Sequence, residues 1–170
     1  MDWFAAVILI YTVLLVIMPL WYTPFLVKIF LPRVNTSRMR EQMECIAFYL
    51  DIPFCRDTPE PAIAILDCED MVRATSSEFL YPEPPAGLYM PGWSRILLDR
   101  QYDRQDIFYH ELAHHVQARA GLALDDLQAW RAAGHLMMVY HPYRYQVCIM
   151  LLGLTNIWGC RNSWKLQSAA

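Results

Sequence analysis

Hydrophobic and polar positions divide the chain into an unbroken apolar opening and a patterned remainder. From Trp3 to Val27 no side chain is charged, and Phe4 to Met18 is almost entirely aliphatic. A run of roughly 20 apolar residues is long enough to cross a bilayer as a helix. Trp3 at one end and Trp21-Tyr22 at the other match the aromatic belts of the membrane interface. Pro19 and Pro24 end the helix near the far side. The segment therefore predicts a transmembrane anchor over residues 1–30. A secretory signal fits less well, because only Asp2 precedes the run and no small-x-small cleavage site follows it. Lys28, Arg33, Arg38 and Arg40 follow the span, so the positive-inside rule puts the rest of the chain in the cytoplasm. The alternative is an uncleaved export anchor, with the domain in a bacterial periplasm or outside.

Beyond the anchor the periodicity changes, and residues 33–165 read as one soluble domain. Met39, Met43, Ile46, Ala47 and Leu50 fall at helical spacing, predicting a helix over 33–50 with Asn35, Thr36 or Ser37 as its cap. Residues 52–61 hold three prolines and read as a loop, and residues 81–85 are again Pro-rich and irregular. Between them Ala62 to Leu66 reads as a short buried strand, while Glu69 to Ser77 carries no decisive pattern. Gly87-Leu88-Tyr89 and Arg95 to Asp99 are strand-like, and Pro91-Gly92 between them is a turn. Ile107, Leu112, Val116 and Ala120 then mark a helix capped by Asp103 or Asp106 and stopped at Gly121. A second helix runs from Leu124 to Ala133, with Asp125 and Asp126 near its start, and 135–140 can continue it. After Pro142 a last, largely apolar helix covers Tyr143 to Trp158, followed by a polar end. The predicted class is α+β, with a small mixed or antiparallel sheet.

Composition narrows the partners. A formal net charge of −3 carries no basic footprint, which argues against nucleic acid. The five cysteines include no C-x-x-C pair, so a cysteine-based zinc or redox site is not expected.

The chemistry concentrates in His110-Glu111-Leu112-Ala113-His114, an H-E-x-x-H pattern on the helix just predicted. Residues i and i+4 lie one turn apart on one helical face, so both imidazoles can aim at one point. Two neutral imidazoles suit Zn²⁺ and leave room for a third protein ligand and a water. Glu111, next to the first ligand, can serve as general base. His115 overshoots the turn and reads as a support to the metal ligands or as structural. No Glu follows Glu111, so the third ligand has to come from His135, His141, Asp125 or Asp126. Tyr140, Tyr143 and Arg144 are candidate oxyanion stabilisers, although packing or surface roles are commoner for such residues.

Tyr109 to Gln117, H-E-L-x-H-x-x-Q at its centre, resembles the active-site helix of small bacterial and phage zincin-like metallopeptidases. In such proteins a later E-A-Y-x-x-Q segment supplies a Glu ligand. Here His141-Pro142-Tyr143-Arg144-Tyr145-Gln146 is similar, with His141 where that Glu would stand. The strand pair before the motif extends the resemblance to roughly residues 86–146. It implies a zincin-like domain with zinc on His110, His114 and His141, Glu111 as the catalytic base, and a peptide or protein substrate. The substrate backbone would add to the strand Arg95–Leu98. Together these readings predict a membrane-anchored zinc metallopeptidase that meets the bilayer through its N-terminal helix. The competing reading is a catalytically idle zincin-like scaffold, for which Glu111 would have no use. An intramembrane protease fits poorly, since Gln105, Asp106, Gln117 and Arg119 lie on the motif helix.

Overall fold

A computed structural model describes residues 31–75 and 85–157, so the N-terminal run expected to span a bilayer lies outside it. Among the described residues no helix is long and apolar enough to cross a membrane. Five α-helices and a three-stranded sheet lie within this range, in the order α1 (Met39–Tyr49), β1 (Ala62–Leu66), α2 (Cys68–Thr75), β2 (Gly87–Met90), β3 (Arg95–Asp99), α3 (Gln105–Arg119), α4 (Asp126–Tyr140) and α5 (Pro142–Ile157). The class is α+β, as the patterning predicts. The chain divides into two compact units. One is Pro32–Pro142; the other takes in the C-terminal helix from Tyr143.

The sheet is mixed, with strand order β1-β3-β2. β1 runs parallel to β3 in the register Ala62↔Arg95 to Leu66↔Asp99. β2 and β3 form an antiparallel hairpin, Gly87↔Leu98 to Met90↔Arg95. Their connection is the 3₁₀ turn Pro91–Trp93 closed by Ser94, whose φ of 49° lies in the left-handed region. β3 is thus the central strand, and Ile96, Leu97 and Leu98 are buried. This corrects one expectation: a strand paired on both sides has no free backbone edge, so Arg95–Leu98 cannot receive a substrate strand. β1, read as buried, is an edge strand with Ile65 exposed, because its apolar run is covered only in part.

α3 is the centre of the Pro32–Pro142 unit. It packs on β2, β3, α1 and α4. Enclosed from these directions, it buries every residue from Ile107 to Gln117. Its ends differ from expectation in one respect. Arg104 is the N-cap, and its side chain makes no capping bond to the helix backbone. Asp103 instead accepts from the backbone N–H of Val34, and Asp106 in the first turn pairs with Arg104. The stop is as predicted: Gly121 adopts φ 72°, and the Leu122 N–H closes back on the Gln117 carbonyl at 3.0 Å.

That reversal sends the chain back along α3 as α4. Asp125 caps α4 by accepting from Gln128 N–H at 2.9 Å. Ala129, Ala132, Ala133, Leu136 and Met137 are buried at i, i+3, i+4, i+7 and i+8, the stripe of a helix with one face on the core. α1 contributes Met43, Ile46 and Ala47 to the same core, and its cap is Arg38 rather than Asn35, Thr36 or Ser37. α2 resolves the indecisive stretch after residue 68 as a helix. No disulfide joins the described cysteines, and Cys45, Cys55 and Cys68 carry free thiols.

Candidate metal centre

The one-turn spacing of His110 and His114 does what its geometry predicts. Their Nε2 atoms lie 3.1 Å apart on the α4 side of the motif helix. The third member of the group comes from the first turn of α4. Asp126 Oδ1 is 3.0 Å from His114 Nε2 and 3.6 Å from His110 Nε2. Each of the three residues offers a ligand atom within 4.8 Å of the others, a group able to hold a metal ion.

The protonation state of this group follows from its neighbours. Gln117 Oε1 accepts the backbone N–H of Asp125 at 3.2 Å, and Gln117 Nε2 donates to the Asp125 carbonyl at 3.4 Å. Those two backbone partners fix the orientation of the amide. The same Oε1 lies 3.0 Å from His114 Nδ1, so Nδ1 must carry the hydrogen. His114 Nε2 faces a carboxylate oxygen and a second imidazole nitrogen, and in the neutral ring it is the nitrogen that carries the lone pair. Two imidazole nitrogens and a carboxylate oxygen thus face one point. This N,N,O set matches divalent first-row metals. His110 is held neutral at physiological pH: burial pushes its imidazole down to about 4, aided by His114 and opposed by Asp126. The two histidines are buried, whereas the Asp126 side chain is 71% exposed, so the group opens to solvent on the α4 side.

Glu111 lies beneath. Burial pushes its carboxyl up to about 8, and the Asp126 charge adds to this, while a bond from the Tyr89 backbone N–H opposes it. That bond shows which way β2 faces: the edge turned from β3 looks onto Glu111. The approach is close enough to require glycine at 87. A Cβ there would lie 2.6 Å from Ile107 Cγ2 and 3.1 Å from Glu111 Oε1.

The remaining sequence candidates stand elsewhere. His141 is the C-cap of α4, and its Nε2 lies 3.5 Å from the Tyr109 hydroxyl, outside the metal-capable group. His135 stacks on Tyr49 of α1 at 4.7 Å. Asp125 is committed to capping α4. Tyr140 packs against Tyr109 at 6.3 Å, while Tyr143 and Arg144 belong to the other unit. His115 is structural, as its spacing predicts. Its Nδ1 meets the Tyr89 hydroxyl at 3.1 Å and its Nε2 meets the Pro59 carbonyl at 3.0 Å, tying the motif helix to β2 and to the loop before β1.

Two further residues belong to the site: Gln117, the last residue of the H-E-L-x-H-x-x-Q pattern, to which no role was assigned, and Trp130, which lies outside that pattern. Gln117 orients His114, as described. Trp130 packs its ring on His110, with centroids 4.2 Å apart and planes 30° apart. The available signal was spacing: Asp126 and Trp130 are i and i+4 on α4, facing the i, i+4 pair His110 and His114 on α3. Comparison of the chain with family models, with characterised proteins and with solved structures finds no match.

Proposed function

We propose that the protein is a zinc-dependent metallopeptidase with a zincin-like catalytic domain, tethered to a membrane by its N-terminal apolar segment. The observation that carries this is the convergence of His110 Nε2, His114 Nε2 and Asp126 Oδ1 beside a buried glutamate that follows the first of them. The metal is held by His110, His114 and Asp126, so the third donor is Asp126 rather than His141. When bound, zinc polarises a carbonyl and makes water acidic enough to ionise near neutral pH.

The protein's own residues do the rest. Glu111 takes a proton from the attacking water and delivers it to the leaving amine. A cation nearby favours the ionised carboxylate, which draws Glu111 down from its raised value into the range of a working base. Gln117 keeps His114 in the tautomer that binds through Nε2. The substrate is a peptide or protein chain, as the likeness of the motif helix to zincin-like peptidases implies. The tether rests on the charge-free run Trp3 to Val27, and the basic residues after it favour a cytoplasmic domain.

The test uses the full chain purified in detergent. Zinc content is measured by elemental analysis, and hydrolysis by mass spectrometry on a mixed peptide library. The expected result is one zinc per chain and cleavage that Glu111→Gln abolishes while zinc is retained. Full zinc content in a His110→Ala, His114→Ala double variant would overturn the metal assignment. A zinc-loaded parent that cleaves nothing would overturn the peptidase and leave a metal-held binding domain.

A further inference from the structure

The two histidines of the site are supported in different ways. His114 has a hydrogen-bonded acceptor, Gln117 Oε1, on the ring nitrogen away from the metal point. His110 has none among the described residues: its Nδ1 is buried and has no hydrogen-bond partner there. A histidine that binds a cation through Nε2 must carry its proton on Nδ1, and such a proton ordinarily finds a carboxylate, carbonyl or water. Among the described residues nothing of that kind fixes the rotation of the His110 ring. What lies against it is the Trp130 indole, 4.2 Å away between centroids and 30° from parallel. Trp130 stands one turn after Asp126 on α4, with one side of its indole against His110 and the residue as a whole 38% exposed.

We infer that Trp130 is a positioning residue for the metal, holding the His110 imidazole in its metal-facing orientation by ring packing, in place of the acceptor that Gln117 provides for His114. The helix that supplies the third donor then also clamps the first. This rests on the metal reading above and adds to it a residue outside the ligand set. Packing requires a flat ring over His110, and neither the indole N–H nor its hydrogen bonding is needed. Phenylalanine should therefore substitute and alanine should not.

Zn²⁺ affinity of the full chain in detergent is measured by competition with a chromogenic chelator for the parent, Trp130→Phe and Trp130→Ala. The Co²⁺-loaded proteins are compared by visible absorption. Loss of an orienting partner costs ligand sites about 10–100-fold in affinity. Trp130→Ala is expected to lose at least ~10-fold and to change the Co²⁺ bands, which report ligand geometry; Trp130→Phe should stay within ~3-fold with parental bands. A second reading does not need the alanine variant to fold. The emission lost on going from the parent to Trp130→Phe isolates Trp130, and Co²⁺ should quench that component more strongly than the remaining tryptophans. If the parent binds no metal, the metal reading falls and this inference with it. If the parent binds and Trp130→Ala binds within ~3-fold with unchanged bands, the inference alone is overturned. Equal Co²⁺ quenching in the parent and Trp130→Phe would overturn it as well.

Discussion

Glu111 and His115 are neighbours on one buried helix, and burial shifts their protonation in opposite directions. Glu111 is pushed up to about 8 and His115 down to about 4. In the metal-free protein the folded state keeps a proton on Glu111 that the unfolded chain releases, so stability is present near pH 4.5 and is lost as pH rises through 8. His115 does the reverse, because the unfolded chain takes up a proton near pH 6.5 that the folded ring refuses until about 4. Its contribution is complete above 6.5 and is lost as pH falls toward 4. His110, also held down to about 4, adds to the acid side, so melts of chelator-treated protein should weaken on both sides of a maximum near pH 6.5. Glu111→Gln should flatten the alkaline limb, gaining about 1–3 kcal/mol at pH 8, and leave the acid limb in place. With zinc present the same variant should lose peptidase activity by about 10²–10⁴-fold. A second pair of variants separates the candidate third donors. Asp126→Asn should weaken zinc binding by about 10–100-fold in chelator competition, whereas His141→Ala should leave it within ~3-fold.

At the level of elements, the site depends on β2 lying against α3. Gly87 permits this contact, since a methyl group there would meet Ile107 Cγ2 at 2.6 Å. Gly87→Ala should destabilise the fold by about 1–3 kcal/mol in urea melts and reduce activity further by moving the Tyr89 N–H away from Glu111. The elements also explain what could be read from the sequence and what could not. His110 and His114 were legible because their convergence is a property of one helix. The choice among Asp125, Asp126, His135 and His141 depends on how the next helix returns. α4 has 15 residues and is therefore about 22 Å long, so its first turn and its C-cap cannot serve the same point. The Gly121 reversal brings the first turn beside His114 and takes His141 to Tyr109. The similarity of His141-Pro142-Tyr143 to another family's ligand segment carried no information about that reversal. β3 was misread for a related reason: strand character is visible in sequence, but sheet order is not.

For the whole Pro32–Pro142 unit, the three residues of the metal-capable group come from two helices joined by a short turn. A cation bound there favours the folded chain over the unfolded one. With free zinc at 100-fold over its dissociation constant, the gain is about 2.7 kcal/mol. Differential scanning of the full chain should then show a melting temperature raised by about 10 °C, reversed by chelator and absent in the His110→Ala, His114→Ala variant. The described cysteines add no covalent tie, so this linkage acts without the help of a disulfide among them.

For the metal proposed here, the exposed carboxylate at the start of α4 would govern the kinetics of exchange. Asp126 meets solvent before either histidine does, and it sits where helices fray most readily. Metal would land on it and then drop onto the imidazoles, so loading would not have to wait for the core to open. Departure would run backwards along the same route, beginning with release of the first turn that Asp125 caps through the Gln128 amide. That amide is a clock for the process. Its hydrogen–deuterium exchange should slow on zinc addition by a larger factor than that of amides in the middle of α4, and the zinc off-rate should track it when the cap is weakened by Asp125→Ala.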